Sequence, residues 1–171
     1  MSEFHSQLVQ MTKMLQNLDR WLEKSVGQAK AKSFDPAVLL QARLAPDMFS
    51  LVRQIQSACD GVKFLAARAS GKDAPKHADS EQDTLEQLRA RIADVVEFAN
   101  GFSAKDFEGA DKRVVPLGFM PGKGMLARDF MNEMNVANTY FHLCMAYAIL
   151  RNNGIDLTKT DFIGSLNLRD L

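Results

Sequence analysis

The sequence predicts an all-α protein, a four-helix bundle with a short extended segment or β-hairpin before the last helix. Four long segments carry apolar side chains at spacings of three and four, which is the pattern of one helix face. Residues 101–125 lose that period and contain Pro and Gly. At 171 residues, 46% of them hydrophobic, the chain suits one bundle domain over residues 1–171.

The first half of the chain is predicted to hold two long helices joined by a short one. The first long helix runs from Glu3 to Ala31. Asp35-Pro36 indicates a new start, since Asp caps free amides and Pro suits the first helical position, and it predicts a short helix over 36–42. The second long helix is expected from about Pro46 to Ser70, where Gly71 ends it.

The third helix follows a polar segment, residues 71–79, that is expected to be a surface loop. Ser80 and Asp83 resemble a capping pair at its start, and the helix is predicted to end near Asn100. Its charged residues, Arg91 among them, are assigned to the solvated side.

The segment before the last helix is predicted to be extended. Residues 113–119 (RVVPLGF) form the extended part, residues 121–124 (PGKG) form a turn, and Met125-Leu126 forms a return strand. A two-stranded ribbon of this kind must pack against the bundle to be stable.

The last helix is predicted to start near Arg128 or Asp129 and to be the central one. Its stretch from Asn135 to Gly154 (NVANTYFHLCMAYAILRNNG) has almost no charge before Arg151 and is apolar on nearly every side. Such a helix is expected to be covered all round. Polar residues interrupt the apolar run, so it does not suit a membrane span. His142 lies in its middle and is predicted to be the one buried imidazole.

Composition excludes some classes of partner. Lys+Arg and Asp+Glu number 21 each, for a formal net charge of +0, which argues against nucleic acid. Cys59 and Cys144 lie in apolar helical patterns and are interpreted as small buried hydrophobes, not as a disulfide or zinc motif. Since no secretory signal or membrane span is visible, the expected location is the cytoplasm, without a membrane partner.

His142 has two interpretations that the residues leave open. It is either a core histidine hydrogen-bonded to a neighbour, or a ligand or general base in a cavity between the second and last helices. A metal site needs three or four ligands, yet one turn away on either side stand Asn138 and Ala146. The sequence contains no H-x-x-x-H.

Asp60, Tyr140 and Tyr147 are the groups considered alongside His142. Asp60 lies beside an apolar stripe, so it is either exposed at the helix flank or paired inward with Lys63, Arg43 or His142. A His142–Asp60 pair is a reasonable acid/base set or half of a metal site. The tyrosines cannot share one narrow stripe with His142, so at least one of them is expected only to pack.

Three further charges lie next to apolar surroundings and are candidates for the pocket or for the structure. These are Arg43, Asp47 and Arg151. The alternative is a role at helix ends, with Asp47 in a first turn and Arg151 in a last turn, where each would match the helix dipole.

Three stretches resemble a known family. They are DPAVLLQARLAPDMF (Asp35 to Phe49), QIQSACDGVKFLAARASG and NTYFHLCMAYAILRNNGI, and they are similar to an uncharacterised bacterial family of the DinB/YfiT-like metalloenzyme superfamily. The resemblance covers nearly the whole chain. It implies a DinB/YfiT-like four-helix bundle that often forms homodimers.

The resemblance also implies a metal site, from which this sequence departs. The superfamily carries three histidine ligands, one on the second helix and an H-x-x-x-H pair on the last, and includes metal-dependent thiol transferases and hydrolases. Here only His142 matches that pair, and Ser57 and Asp60 occupy the region of the second-helix ligand. The three-histidine site is not intact.

Three functions are therefore expected as alternatives. The first is binding of a small molecule, or weakly of a metal, in a cavity around His142, Asp60, Tyr140 and Tyr147. The second is a hydrolase or transferase that uses a divalent metal (Zn, Ni or Mn) held by His142, Asp60 and a third group. That third group would be Asp47 or Asn138. The last alternative is a non-catalytic homodimerisation module.

Overall fold

The computed structural model describes residues 2–79 and 84–170 and shows the predicted all-α bundle with a short β-hairpin. The last long helix, α4, is continuous but contains an internal π-helical part, Phe130–Asn135, between Ala127–Asp129 and Val136–Asn152. The helices are α1 (Glu3–Ala31), α2 (Leu51–Ser70), α3 (Leu85–Asn100), α4 (Ala127–Asn152) and α5 (Lys159–Ile163). Shorter 3₁₀ turns cover Pro36–Gln41, Ala104–Phe107 and Ala110–Lys112.

Helices α2 and α4 make the most extensive contact in the bundle, and α1 and α3 pack on the other sides of α2. Their close approach depends on Gly61, because a Cβ at this position would overlap the Thr139 side chain. The core lies between the four helices and includes Trp21, Ile55 and Leu143, all buried. Burial of these apolar faces is the main stabilising force of such a bundle.

Helix α2 begins at Leu51, not at Pro46 as the sequence predicts. The chain first makes a turn, in which the Met48 amide donates to the Ala45 carbonyl, and the Leu51 amide then donates to Ala42. Asp47 is exposed in this turn. The interpretation of Asp47 as a first-turn residue matched to the helix dipole is therefore wrong.

Helix α3 begins after a capping box. The Thr84 hydroxyl accepts from the Gln87 amide, and the Gln87 side chain accepts from the Thr84 amide. These two bonds satisfy amides that have no partner within the helix. The predicted capping pair, Ser80 and Asp83, lies outside the described residues.

The predicted hairpin is present, with β1 (Val114–Pro116) antiparallel to β2 (Gly124–Leu126). Val115 faces Met125 across the ribbon and is buried against the bundle. The hairpin continues directly into α4, whose Ala127 amide donates to the Arg113 carbonyl at 2.8 Å. Packing on the helices supplies the support that an isolated two-stranded ribbon lacks.

Helix α4 is not covered all round, which corrects the sequence prediction. Its His142 side is buried, but Phe141 is 50% exposed and Cys144 is exposed as well. The interpretation of Cys144 as a buried hydrophobe is thus wrong, whereas Cys59 is buried as expected. No helix in the described ranges is both long and apolar enough to cross a membrane.

The C-terminal segment packs on α1. The Trp21 indole donates to the Asp161 carbonyl at 2.9 Å, and the Phe162 ring stacks on Trp21 with ring centres 5.3 Å apart. Asp161 also pairs with Lys24 at 3.2 Å. These contacts hold α5 against the side of α1 that carries Trp21 and Lys24.

Candidate functional site

A cavity of about 250 Å³ lies between α2 and α4, where the sequence predicts one. Its walls combine aromatic rings with polar side chains, as small-molecule sites usually do. Helix α2 contributes Ser57, Asp60, Phe64 and Arg68, α4 contributes Phe130, Met134, Asn135, Asn138 and His142, and Phe119 reaches in from the hairpin loop. The structure thus brings His142, Asp60 and Asn138 of the predicted site to one cavity.

A second concavity of about 310 Å³ between α1 and α3 is a weaker candidate. Its charged groups already satisfy each other, because the Arg89 guanidinium makes two hydrogen bonds to the Asp19 carboxylate, at 2.6 and 3.0 Å. The α2–α4 cavity differs in that several of its polar atoms are free to meet a ligand.

The hydrogen bonds around His142 determine which ring nitrogen carries the proton. The Gln54 amide nitrogen donates to the Phe49 carbonyl at 3.2 Å, so Gln54 Oε1 is turned toward the ring. His142 Nδ1 lies 2.8 Å from that oxygen. Since Gln54 Oε1 can only accept, Nδ1 is the donor, and Nε2 of the neutral ring carries a lone pair. No described residue makes a hydrogen bond to Nε2.

The surroundings of His142 keep the ring neutral near pH 7. The residue is 7% exposed, and Phe49 and Phe141 lie against it with ring centres at 6.4 and 5.3 Å. Burial lowers the pKa of His142, and the Arg53 charge lowers it further, against an opposing effect of Asp60. His142 is therefore a hydrogen-bond acceptor at physiological pH.

Asp60 is paired inward, and its partner Lys63 is one that the sequence proposes. Asp60 Oδ1 lies 2.8 Å from Lys63 Nζ and 2.8 Å from Arg91 Nη2. Arg91 is 1% exposed, so its assignment to the solvated side of α3 is wrong. No N···O distance of 4.0 Å or less joins His142 to Asp60, and the predicted acid/base pair is not formed directly.

The charge cluster continues into the segment after α2. Arg91 also pairs with Asp79 at 2.8 Å, and Asp79 pairs in turn with Arg53. His77 lies 3.4 Å from Lys63 Nζ and 3.7 Å from Asp94. The His77 side chain is 7% exposed, so His142 is not the one enclosed imidazole.

The structure does not bring the two tyrosines to the cavity. The Tyr140 hydroxyl accepts from Gln10 of α1 at 3.4 Å. The Tyr147 hydroxyl donates to the Leu157 carbonyl at 3.2 Å, and its ring packs edge-on against Trp21. Both tyrosines thus face α1 and the C-terminal segment, on another side of α4 from His142.

Three other predicted candidates also lie away from the cavity. Arg43 is exposed and donates to the Met48 carbonyl at 3.4 Å, and Asp47 is exposed in the turn before α2. Arg151 lies in the last turn of α4, as predicted for a helix-end role, and donates to the Ile155 carbonyl at 3.2 Å. None of the three lines the cavity.

Sequence reasoning missed Gln54, Arg68 and Asn135. Asn135 is 4% exposed, and its amide nitrogen donates to the Gly61 carbonyl at 3.0 Å. Its Oδ1 is buried without a partner among the described residues. The signal was present, because Asn135, Asn138 and His142 are three and four positions apart on one face of α4. The π-helical part, a form frequent at functional sites, could not be read from the sequence.

The donor set does not fit the metal centre that the family resemblance implies. The described residues contain no group of three or more His, Cys, Asp or Glu side chains placed to hold an ion. Asp60 is already bound to two cations, which leaves His142 and Asn138 as the other predicted ligands at the cavity. Structural and catalytic zinc sites use at least three protein ligands.

Comparison with known proteins places the chain in a family. A family model described as a domain of unknown function (DUF1993) matches residues 4–163. The chain belongs to this family. The DUF1993 chain is also similar to a crystal structure of a DinB family member protein from Shewanella denitrificans, with 42% sequence identity and a TM-score of 0.91. The similarity covers 96% of this chain and 93% of that one.

These findings confirm the resemblance to a DinB-like family of unknown function and confirm the fold. A comparison of the DUF1993 chain with curated proteins found no match.

Proposed function

We propose that this DUF1993 protein binds a small molecule in the α2–α4 cavity, where neutral His142 accepts a hydrogen bond at Nε2. The observation that carries the proposal is the fixed chain of bonds from the Phe49 carbonyl through Gln54 to His142 Nδ1. This chain of bonds orients the ring and leaves Nε2 as an acceptor that no described residue contacts with a hydrogen bond. A site built on rigid helices with a supported side chain is suited to recognise a ligand.

The aromatic walls of the cavity define what its ligand should look like. Phe64, Phe119 and Phe130 line it together with Met134. A cavity of about 250 Å³ is at the lower end for small-molecule sites, so the occupant has few heavy atoms. A small ring with one hydroxyl or amine donor satisfies both the walls and His142.

Phenol and toluene test this proposal as a matched pair, because they differ mainly by the hydroxyl group. The protein is labelled with ¹⁵N at its histidines and titrated with each compound. We expect phenol to move the His142 Nε2 resonance while Nδ1 stays protonated, and toluene to leave Nε2 in place. If phenol moves no resonance of a cavity residue, the proposal is wrong.

Metal analysis of the same purified protein distinguishes this proposal from the divalent-metal alternative. Zn, Ni and Mn are measured in the wild type and in His142→Ala. Stoichiometric metal that disappears in the variant would replace the proposed site with a metal centre. Protein that is metal-free and of normal stability supports the proposal.

A second candidate function is homodimerisation through the exposed side of α4. Phe141 is 50% exposed, and α4 carries no charged residue between Asn135 and Leu150. A face without charge can meet its own copy about a two-fold axis without like-charge repulsion. The occupant would be a second copy of this chain.

Sedimentation across a dilution series tests the dimer. We expect Phe141→Lys to shift the wild-type dimer to monomer, since it sets two like charges against each other. Val9→Lys is the control, because Val9 is similarly exposed, at 55%, but belongs to α1 and not to α4. A wild type that stays monomeric at all concentrations removes the candidate.

A further inference from the structure

Arg68 is a cation of the cavity that has no ionic partner in the described structure. It lies in the last turn of α2 and lines the same cavity as His142. Its guanidinium carbon lies 4.4 Å from the centre of the Phe64 ring and 5.3 Å from that of Phe130. The described residues form no hydrogen bond or ion pair with it, whereas Arg91, Arg53 and Lys63 are all paired.

Stacking on rings satisfies the faces of a guanidinium but not its edge. The five N–H donors of Arg lie in the plane of the group and match the two oxygens of a carboxylate or phosphate. The contacts with Phe64 and Phe130 restrict the Arg68 side chain, so less side-chain freedom is lost when an anion binds. A role in matching the dipole of α2 would not require a position in the cavity wall.

The neighbouring charges favour an anion over a cation. Asp60 is the carboxylate of the cavity, but Lys63 and Arg91 both pair with it. Arg91 also shares Asp79 with Arg53. Arg68 is thus the cation of the cavity wall that has no carboxylate partner among the described residues, and such a group attracts a small negatively charged ligand.

Two further polar atoms of the cavity wall are acceptors without a partner among the described residues. Asn135 donates its amide hydrogen to Gly61, so its Oδ1 is an acceptor, and this oxygen is buried without a partner among the described residues. His142 Nε2 is a second acceptor. A buried acceptor without a donor is costly, and a ligand hydroxyl or amine would remove that cost. The cavity wall thus combines one charged donor, Arg68, with two acceptors, and the side chains of Ser57 and Asn138 add neutral polar groups.

From this arrangement we infer that the ligand is a small carboxylic acid with a hydroxyl or amino group, held by Arg68 at its carboxylate and by Asn135 and His142 at its donor. The inference rests on the proposed function and adds the chemical class of the ligand. Arg68 makes the cavity bind an anion more tightly than a neutral molecule of the same shape.

Calorimetric titration with three related probes tests the inference on the wild-type protein. The probes are phenol, 4-hydroxybenzoate and the methyl ester of 4-hydroxybenzoate, which keeps the ring and hydroxyl but lacks the charge. We expect 4-hydroxybenzoate to bind about tenfold or more tightly than either neutral probe, since a charge-assisted bidentate pair is added. Phenyl phosphate is a fourth probe, and tighter binding of it than of 4-hydroxybenzoate would overturn the carboxylate assignment.

Variants of Arg68 test whether its guanidinium is the group that binds the carboxylate of 4-hydroxybenzoate. Arg68→Gln is expected to weaken 4-hydroxybenzoate by about tenfold and to leave phenol unchanged, and Arg68→Lys should fall between. Arg20→Gln, at an exposed position of α1, is the matched control and should bind like the wild type.

The outcomes separate the two proposals. If phenol binds but 4-hydroxybenzoate is no tighter, or if Arg68→Gln weakens both probes equally, the carboxylic-acid inference is wrong and the proposed function stands. If phenol does not bind, the proposed function fails, and the inference that rests on it fails with it. The comparison of 4-hydroxybenzoate with its ester on the wild type remains decisive even where an Arg68 variant does not fold.

Discussion

The Arg91 guanidinium of α3 donates to the Asp60 carboxylate of α2 at 2.8 Å, although the Arg91 side chain is 0% exposed. Lys63, whose side chain is 4% exposed, lies 2.8 Å from the same oxygen. One carboxylate thus serves two buried cations from two helices. Buried ions of this kind depend on their partners, because each has lost its hydration.

The pairing predicts that Asp60→Asn strongly destabilises the bundle. Removal of one partner of a buried pair costs about 3–5 kcal/mol, and the partial exposure of Asp60, 27%, reduces our expectation to about 2–3 kcal/mol. Urea denaturation should show a lower midpoint with an unchanged slope. Asp94→Asn is the control, since that side chain is 66% exposed, and it should change stability by less than about 0.5 kcal/mol. Equal stability of the two variants would contradict the role of Asp60.

The long helices could be predicted from the sequence because their apolar spacing is a property of neighbouring residues. The hairpin was predicted because residues 101–125 lose that spacing and contain Pro and Gly, and the cavity between α2 and α4 was one of two interpretations of His142. The start of α2 could not be predicted, since the turn after Pro46 depends on a bond between Leu51 and the distant Ala42 carbonyl. Arg91 was assigned to the solvent because its partners, Asp60 and Asp79, are not its neighbours in sequence.

The candidate site was only partly predictable for the same reason. His142 and Asp60 stand out as polar residues in apolar stripes, and both do line the cavity. Gln54 acts through its contact with His142, which lies 88 positions away in the sequence. The apolar periodicity of a helix gives no information about a contact between residues so far apart. Tyr140 and Tyr147 share the helix of His142 but lie on another side of it, and their hydroxyls bind α1 and the C-terminal segment.

Gly61→Ala should destabilise the protein although Ala is the better helix former. A Cβ at position 61 would overlap the Thr139 side chain and force α2 and α4 apart. Overpacking of this kind costs about 1–3 kcal/mol. Gly27→Ala is the matched control, because a Cβ there meets nothing within 4 Å, and it should stabilise by up to about 1 kcal/mol.

Thermal unfolding of the two glycine variants measures this difference directly. Thr139→Ala, combined with Gly61→Ala, removes the overlapping hydroxyl and should recover part of the loss. If Gly61→Ala raises the melting temperature as Gly27→Ala does, then α2 and α4 do not approach each other closely at Gly61.

The two enclosed histidines predict that stability falls on mild acidification. Burial is the main cause that lowers the pKa of His142 and of His77 below the ordinary 6.5. For His77, the charges of Lys63 and Arg91 also lower the pKa, whereas Asp94 and Asp60 raise it. For His142, Arg53 lowers the pKa and Asp60 raises it. Below pH 6.5 the unfolded chain takes up protons that the native rings do not. The free energy of unfolding therefore decreases as pH falls from 6.5 through the native pKa values.

Urea titrations between about pH 7 and pH 5.5 check this dependence, since carboxylates with a lowered pKa, such as Asp79, affect stability mainly below about pH 5. His142→Gln and His77→Gln should each flatten the curve, and the double variant should flatten it most. If the free energy of unfolding of the double variant still decreases with falling pH, then groups other than these two histidines cause the pH dependence.

Gln54→Glu should raise the pKa of His142. The new carboxylate would stand where Gln54 Oε1 now accepts from His142 Nδ1 at 2.8 Å, and a negative charge there stabilises the protonated ring. The rise should be about one pH unit or more, enough to oppose the effects of burial and of Arg53. An NMR titration of the His142 ring measures it, with Gln16→Glu at an exposed position of α1 as the control. A pKa that stays low in Gln54→Glu would mean that Gln54 does not hold the Nδ1 proton. The lone pair assigned to Nε2, on which ligand binding at His142 depends, would then have no structural basis.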